Sequence, residues 1–313
     1  MAIDYLITGG AGFIGSNIAE HLVRQGCSVR VFDNFLTGKR ENLGSFASQA
    51  EILEGDLRDL RQIQRAAAGV RRVIHCAALP SVPRSVAEPS LAHDINLTGT
   101  LHLLLAARDA GCQRVVFSSS SSVYGDTPTL PKREDMMPAP LSPYAVHKLT
   151  GEYYCRIFWQ LYGLETVCLR YFNVFGPRQD PKSEYAAVIP RFITAIVRDE
   201  SPTIFGDGRQ TRDFSYVQNV VEANLAACAA PKEALGETFN VACGGRISLL
   251  DLVGTINAIC GKQVVPRHEP ARPGDVRDSQ ADIQKAARLL GWQPSVDFRT
   301  GIEKTIAWYQ RPA

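Results

Sequence analysis

Several absences narrow the possibilities before any motif is read. No apolar stretch, Leu101 to Ala107 being among the longest, approaches the roughly 20 residues needed to span a bilayer, so no transmembrane helix is expected. Residues Met1 to Thr8 run straight into a strand-like segment with neither a basic n-region nor a cleavage site. No secretory signal is therefore read, and a cytoplasmic location is expected. The cysteines (Cys27, Cys76, Cys112, Cys155, Cys168, Cys228, Cys243 and Cys260) include no C-x-x-C pair. That argues against a zinc site or a disulfide framework, so no metal is expected and the thiols read as reduced and mostly buried. Charge excess is missing too: 34 Lys and Arg against 32 Asp and Glu leave +2, too balanced to advertise nucleic acid or a membrane surface as partner. Internal repeats and low-complexity tracts are absent. What remains is a 313-residue chain, 45% hydrophobic, 21% charged and 8% aromatic, with the composition of a folded globular protein. At roughly 150 residues per domain it holds about two domains, or one large α/β domain carrying a lobe.

The first half alternates β-branched apolar runs with helix-period segments, the pattern of βαβ units on a parallel sheet. Strands are expected at Tyr5–Thr8, Val29–Asp33, Glu51–Glu54, Val73–Ala77, Val115–Ser118 and Thr166–Arg170, and helices at Phe13–Gln25, Asp59–Ala67, Leu91–Ala110 and Tyr144–Tyr162. Right-handed crossovers make this a doubly wound, Rossmann-type sheet. After Arg170 the rhythm loosens, with turn-rich Gly176–Ser183, a tight turn at Gly206–Gly208 and a Pro/Gly/charge-rich loop at Pro266–Asp278. The expected organisation is a dinucleotide domain over residues 1–170, to which 214–238 returns, and a smaller C-terminal α/β substrate lobe over most of 171–313.

The strand Tyr5–Thr8 runs into Gly9-Gly-Ala-Gly-Phe-Ile-Gly15, which contains G-x-G-x-x-G (Gly10, Gly12, Gly15), and a helix follows. Glycines there permit a tight turn, bring backbone N–H groups to a pyrophosphate at the positive helix end, and let helix and sheet pack closely. Asp33 ends the next strand 18 residues after Gly15, where a carboxylate accepts the adenosine ribose hydroxyls and repels a 2′-phosphate. NAD is therefore the expected cofactor, although Lys39 and Arg40 lie close by. Asp56 and Leu57 after the third strand, and Ala77, Ala78 and Leu79 after the fourth, fall where the adenine and the diphosphate edge would lie.

Tyr144-Ala-Val-His-Lys148 sets a phenol and an ammonium four residues apart on one face of a helix that starts after Pro143. A phenol of ordinary pKa about 10 must be strongly biased toward phenolate to act as a base near neutral pH. Lys148 and a nicotinamide cation are expected to supply that bias. The run Ser118–Ser122 ends the fifth strand at the carboxyl edge of the sheet, where open α/β folds bind ligands. A hydroxyl there could orient a sugar hydroxyl toward Tyr144. His147 points to another helix face and reads as packing; His75 reads as a satisfied histidine within a core strand.

With these residues assembled, the chain resembles the extended short-chain dehydrogenase/reductase family of nucleotide-sugar enzymes over essentially its whole length. The motifs that carry the resemblance are Thr8–Gly15, Asp33-Asn34, Asp94–Gly99, Ser119–Asp126, Tyr144-x-x-x-Lys148, Arg170–Gly176 and Arg212–Phe214. Within the family it looks like a UDP-sugar 4-epimerase, most like those acting on UDP-N-acetylglucosamine in polysaccharide biosynthesis. The resemblance implies that Tyr144 removes the sugar 4-hydroxyl proton while hydride passes from C4 to tightly bound NAD. The same hydride then returns to the other face of the 4-keto sugar. Lys148 would hold the nicotinamide ribose, and Ser120 and Ser122 the reacting oxygen. Phe13, Ile14, Asn34, Gly38, Asn96, Ser118, Tyr171 and Val174 would complete the cofactor site.

For the substrate the resemblance implies Ser81, Arg84, Ser121, Gln179, Ala187 and Val188 around the sugar, Asn173 at the diphosphate, and Arg212, Arg272 and Asp275 on the phosphates and uridine ribose. Paired arginines suit a diphosphate because a guanidinium fork binds oxyanions bidentately. Ser279 stands where enzymes confined to UDP-glucose and UDP-galactose have a bulky tyrosine, so a 2-acetamido group is expected to fit. Pro80 departs from the usual glycine and could reshape that pocket. The rival reactions, nucleotide-sugar dehydration or UDP-glucuronate decarboxylation, need a carboxylate in the loop that here reads Ser120-Ser-Ser122. A non-catalytic NAD-binding regulator is the alternative from another class. The helices Leu91–Ala110 and Tyr144–Tyr162 resemble those of a four-helix dimer interface, so a homodimer is expected.

Overall fold

The computed structural model describes residues 3–181, 187–271 and 276–310. The chain opens with β1 (Ile3–Thr8), α1 (Phe13–Arg24), β2 (Val29–Asp33), β3 (Glu51–Glu54), α2 (Leu60–Ala67) and β4 (Val70–His75). It continues through the short helices α3 (Val82–Ala87) and α4 (Pro89–His93) to α5 (Gly99–Asp109), β5 (Arg114–Ser120), α6 (Pro143–Tyr162), β6 (Glu165–Tyr171) and β7 (Val174–Phe175). The lobe brings α7 (Val188–Val197), β8 (Thr203–Phe205), β9 (Thr211–Arg212), β10 (Ser215–Tyr216) and α8 (Val217–Cys228). The last elements are β11 (Thr238–Val241), β12 (Ile247–Ser248), α9 (Leu249–Cys260), β13 (Arg267–Glu269), α10 (Gln284–Leu290) and α11 (Phe298–Tyr309).

Seven strands form one parallel sheet in the order β11-β6-β5-β4-β1-β2-β3. The order reverses between β1 and β4, and that switch point opens the crevice in which such sheets bind ligands. Buried Ile7, Ile18, Val31, Ile74 and Val116 fill one face of the sheet against α1 and α8, while Leu6, Val73, Leu103, Val115 and Phe117 fill the other against α2, α5 and α6. These strands are apolar on both faces because helices cover both faces.

Two elements depart most from the sequence reading, the other boundaries shifting by no more than two residues. The fourth strand is Val70–His75 rather than Val73–Ala77. It starts early because Val70 pairs with Ile3, and Cys76 and Ala77 then peel away from the sheet, their N–H groups turned to the Thr8 carbonyl and hydroxyl. The expected single helix Leu91–Ala110 is two helices joined by a wide π turn over Asp94–Thr98. That turn buries Asn96, whose carboxamide bonds both backbone groups of Leu79, and brings Gly99 so close to Leu57 that a Cβ would meet the leucine Cβ at 2.8 Å.

After β6 the chain leaves the sheet to build a separate core around Phe175, Ile193, Ile204, Phe214, Leu252 and Ile302. The segment α8 returns to pack on α1, and β11 adds to the sheet edge beside β6. One buried carboxylate ties the lobe's loops together: Asp213 accepts from the N–H groups of Cys243, Gly244 and Ala281 at 2.9, 3.0 and 3.0 Å. Burial outweighs those bonds and lifts its pKa to about 6. A carboxylate whose folded pKa lies above its unfolded value binds more protons folded than unfolded between about pH 4 and 6, so its contribution to stability falls as pH rises across that window. In urea titrations the stability of wild type relative to Asp213→Asn is expected to decline from pH 4 to 6 and level off above; a difference that is flat or rising would contradict this placement.

Candidate active site

The crevice at the switch point is a cavity of about 900 Å³. The β1–α1 turn forms its floor. Gly9 turns with φ +67°, and a Cβ on it would sit 2.6 Å from the Ala77 backbone nitrogen; one on Gly15 would sit 2.2 Å from the Gly9 carbonyl. Both positions exclude a side chain because backbone meets backbone. Gly12 is the N-cap of α1; no side chain caps that helix and no acidic residue occupies its first turn. An uncapped helix N-terminus facing a cavity suits an anion such as a pyrophosphate.

At the end of β2, Asp33 accepts from the Ala11 N–H at 2.9 Å and the Phe35 N–H at 2.8 Å. Burial raises its pKa and the backbone bonds resist the rise. Gly38 passes so near that a Cβ would approach both carboxylate oxygens to 2.9 Å. The basic groups around Asp33 are engaged: Lys39 with Asp180 at 2.7 Å, Arg40 with Glu54, and Arg58 with both oxygens of Asp56 at 2.9 and 2.7 Å. An acidic wall with its neighbouring cations already paired fits a ribose diol rather than a 2′-phosphate.

The catalytic-type pair lines the same cavity. Ser142 caps α6 by accepting from the Ala145 N–H at 3.2 Å, Pro143 occupies the first turn, and the Tyr144 N–H donates to Ser85 Oγ at 3.1 Å. The helix lies tight against β5 because Gly151 faces the Phe117 ring, which a Cβ would meet at 2.5 Å. Lys148 Nζ consequently reaches the Ser118 carbonyl at 2.7 Å and lies 5.8 Å from the Tyr144 ring centre. Burial pushes the Tyr144 phenol up to about 12, opposed only by a hydrogen bond with Ser120, and brings the Lys148 ammonium down to about 8. Desolvation is thus the largest effect on the phenol, and the bias expected from Lys148 and a nicotinamide cation must overcome it. Each unit by which a bound charge reverses that rise takes about 1.4 kcal/mol.

Of the sequence-derived cofactor residues, Gly9, Gly12, Phe13, Ile14, Gly15, Asp33, Asn34, Gly38, Asp56, Leu57, Ala77, Ala78, Ser118, Tyr144, Lys148 and Tyr171 line this cavity, as do Ser81 and Arg84. Two do not. Asn96 lies behind the wall, holding Leu79, and Val174 faces a second cavity. That second cavity, of about 230 Å³, gathers Asn173, Ala187, Val188 and Arg212. Sequence reasoning missed its Arg191, Phe205 and Gln210, along with Cys76 in the first; none of these stands in a spaced motif. Ser120, Ser121, Ser122, Gln179 and Ser279 lie outside both linings. Among them, Ser122 Oγ is buried without a protein partner, Gln179 Nε2 bonds the Val174 carbonyl at 3.1 Å, and the Ser279 N–H donates to the Thr211 carbonyl at 3.1 Å. Arg272 and Asp275 lie outside the described residues. His75 is held between the Thr8 and Thr100 hydroxyls at 2.7 and 3.0 Å, a satisfied core histidine, and His147 is buried edge-on to His93.

A switch-point cavity with an uncapped glycine-lined helix start, an acidic β2 end and a Tyr/Lys pair in its wall defines a dinucleotide-dependent α/β enzyme. The pattern of the NAD dependent epimerase/dehydratase family matches residues 5–242; the chain belongs to that family, and NAD is its cofactor. A UDP-glucose 4-epimerase of Mycolicibacterium smegmatis is 39% identical over 313 residues, covering 97% of this chain and 98% of the relative. Among solved structures, the Thermotoga maritima UDP-glucose 4-epimerase with UDP-glucose superposes with a TM-score of 0.93 at 37% identity, covering 98% of this chain and 99% of its own. The UDP-N-acetylglucosamine 4-epimerase of Methanobrevibacter ruminantium, in complex with UDP-N-acetylmuramic acid, also reaches 0.93, at 39% identity and 99% coverage of both chains. Among the described residues no helix is long and apolar enough to cross a membrane.

Proposed function

We propose that this protein interconverts UDP-sugars epimeric at C4, with UDP-N-acetylglucosamine and UDP-N-acetylgalactosamine as its principal pair and UDP-glucose and UDP-galactose as further substrates. The observation that carries the reading is the half-buried Tyr144, its phenol bonded to Ser120, set with the buried Lys148 in the wall of the dinucleotide cavity. Tyr144 takes the proton of the sugar 4-hydroxyl and gives one back to the same oxygen, while Ser120 and Ser122 hold that oxygen. The partnerless, buried Ser122 hydroxyl has the free capacity this requires. Lys148 keeps an ammonium beside the phenol and the bound ribose. Gly12, Gly15 and Asp33 would hold NAD, which when bound would supply the hydride acceptor and donor for C4. No carboxylate stands in the Ser120–Ser122 loop to serve the second step of a dehydratase or decarboxylase.

Arg212, Arg272 and Asp275 would serve the phosphates and uridine ribose, with Asn173 at the diphosphate; of these, Asn173 and Arg212 share the smaller cavity. The acetamido preference rests on Ser279, a small residue docked beside Thr211, and on the likeness to the Methanobrevibacter ruminantium enzyme. A homodimer is supported by the exposed stripe Val146, Tyr153, Ile157 and Leu161 along α6, apolar surface that a second copy's helices would cover.

The test is to incubate purified protein with UDP-N-acetylglucosamine and, separately, UDP-glucose, and to quantify the 4-epimers by chromatography. Conversion of the acetamido sugar at comparable or greater efficiency is expected. Conversion of UDP-glucose alone would show that Pro80 outweighs Ser279, and conversion of neither with NAD supplied would refute the assignment.

A further inference from the structure

The serine run contains one member to which the proposed chemistry gives no task. Ser119 lines the crevice beside Ser118, yet its Oγ is committed to Glu152, donating to Oε1 at 2.5 Å. Glu152 stands four residues after Lys148 and eight after Tyr144, so the three share one face of α6. Its carboxylate is also gripped by Arg170, Nε to Oε1 at 2.9 Å and a terminal nitrogen to Oε2 at 2.7 Å, with both side chains about nine-tenths buried or more. Arg170 is the residue paired with Ser119 across the β5–β6 ladder, and its guanidinium lies 4.7 Å from the centre of the Tyr124 ring.

Three consecutive serines are thus fastened to three turns of α6. Ser118 is held through its carbonyl by Lys148, Ser119 through its hydroxyl by Glu152, and Ser120 through its hydroxyl by Tyr144. Sliding the helix against the strand would break the buried Glu152 bonds first, because an uncompensated carboxylate or guanidinium in the core is costly. We infer that Glu152, clamped by Arg170 and Ser119, is a positioning residue that sets the register of the Tyr144 and Lys148 helix against the serine strand end. Ser120 and Tyr144 approach a substrate oxygen in a common geometry only while that register holds, so its loss is read in turnover rather than in substrate binding. This inference rests on the proposed roles of Tyr144, Lys148 and Ser120.

The experiment measures kcat, KM and thermal unfolding of the NAD-loaded enzyme for wild type, Ser119→Ala, Glu152→Gln and the double variant, with Tyr144→Phe alongside. Glu152→Gln is expected to lower kcat about tenfold and Ser119→Ala about threefold, magnitudes of one charge-assisted and one ordinary hydrogen bond. KM should change by less than about twofold, and the double variant should fall short of the product of the single effects. A second readout is the alkaline limb of the kcat–pH profile. Lys148 is faced by Glu152 and Cys155 from α6, by Cys76 beyond β4 and His75 on β4, and is flanked by His147. Removing the Glu152 charge shifts that limb to lower pH, which mere loosening of the fold would not do. Unchanged kcat with a lowered unfolding temperature, or kcat lost with the limb unmoved, would overturn the inference. Should Glu152→Gln fail to fold, the Ser119→Ala kcat decides alone. Inactive Tyr144→Phe beside unaffected Glu152→Gln would sink the positioning role only, whereas active Tyr144→Phe would sink the parent reading and this inference together.

Discussion

Tyr144→Phe is expected to lower kcat for C4 epimerisation by about a thousandfold, within the range for loss of a positioned acid–base group, while leaving the unfolding temperature and NAD content near those of wild type. The selectivity follows from the geometry. The ring is held by its place at the start of α6, where Ser142, Pro143 and Ser85 organise the backbone, and none of those contacts uses the phenolic hydroxyl. What the hydroxyl does contact is Ser120. Removing it deletes the group that carries the proton and leaves the cavity's shape intact. Turnover of the Phe variant within about tenfold of wild type would assign the proton to another residue.

Gly15→Ala is expected to remove bound NAD and, with it, activity. The added Cβ would lie 2.2 Å from the Gly9 carbonyl and 2.9 Å from Gly10 Cα, atoms of the turn proposed to cradle the pyrophosphate. No flexible side chain can give way, so the β1–α1 turn itself must move. Overpacking of this kind costs about 1–3 kcal/mol in stability. Displacing the helix N-terminus from the phosphates should also weaken NAD by roughly a hundredfold, equivalent to about 2.7 kcal/mol. Isothermal titration of the NAD-free variant with NAD measures the second effect and denaturant unfolding the first. An affinity within threefold of wild type would mean that the turn is not the pyrophosphate cradle. Gly26 makes the contrasting control position, since a Cβ there meets nothing within 4 Å, although its φ of +77° still disfavours a side chain.

The parts of this site that lie in local patterns were legible in the sequence. The strand–glycine turn–helix segment, Asp33 at the β2 end and the Tyr144/Lys148 pair all owe their positions to periodicities of two and 3.6 residues, and those periodicities survive folding. The parts that depend on distant segments were not. Lys39 meets Asp180 across the crevice mouth, and no spacing announces a partner so far along the chain. Asn96 looked like a cofactor ligand but supports Leu79 from behind, because the π turn that rotates it inward has no distinct composition. In the second cavity Asn173, Ala187, Val188 and Arg212 were named through the family resemblance, whereas Arg191, Phe205 and Gln210 stand on α7, β8 and the turn after it, where no local pattern announces a ligand. The phenol's raised pKa was invisible for a different reason: it depends on how dry the crevice is, and spacing says nothing about desolvation. Glu152 had a visible signal, its place one turn beyond Lys148 on the same helix face, but a glutamate on a helix ordinarily faces water.

The central claim is that, with Tyr144 handling the hydroxyl proton, a retained dinucleotide takes a single hydride off C4 and returns it without exchange with water. The most direct measurement uses UDP-N-acetylglucosamine deuterated at C4, converted in ordinary water by the NAD-loaded enzyme and read by mass spectrometry and proton NMR of the recovered epimers. The account predicts that both epimers keep deuterium at C4 in full and that no solvent hydrogen enters there. Loss of the label in step with conversion would contradict it, since the C4 hydrogen would then be leaving as a proton rather than returning as hydride.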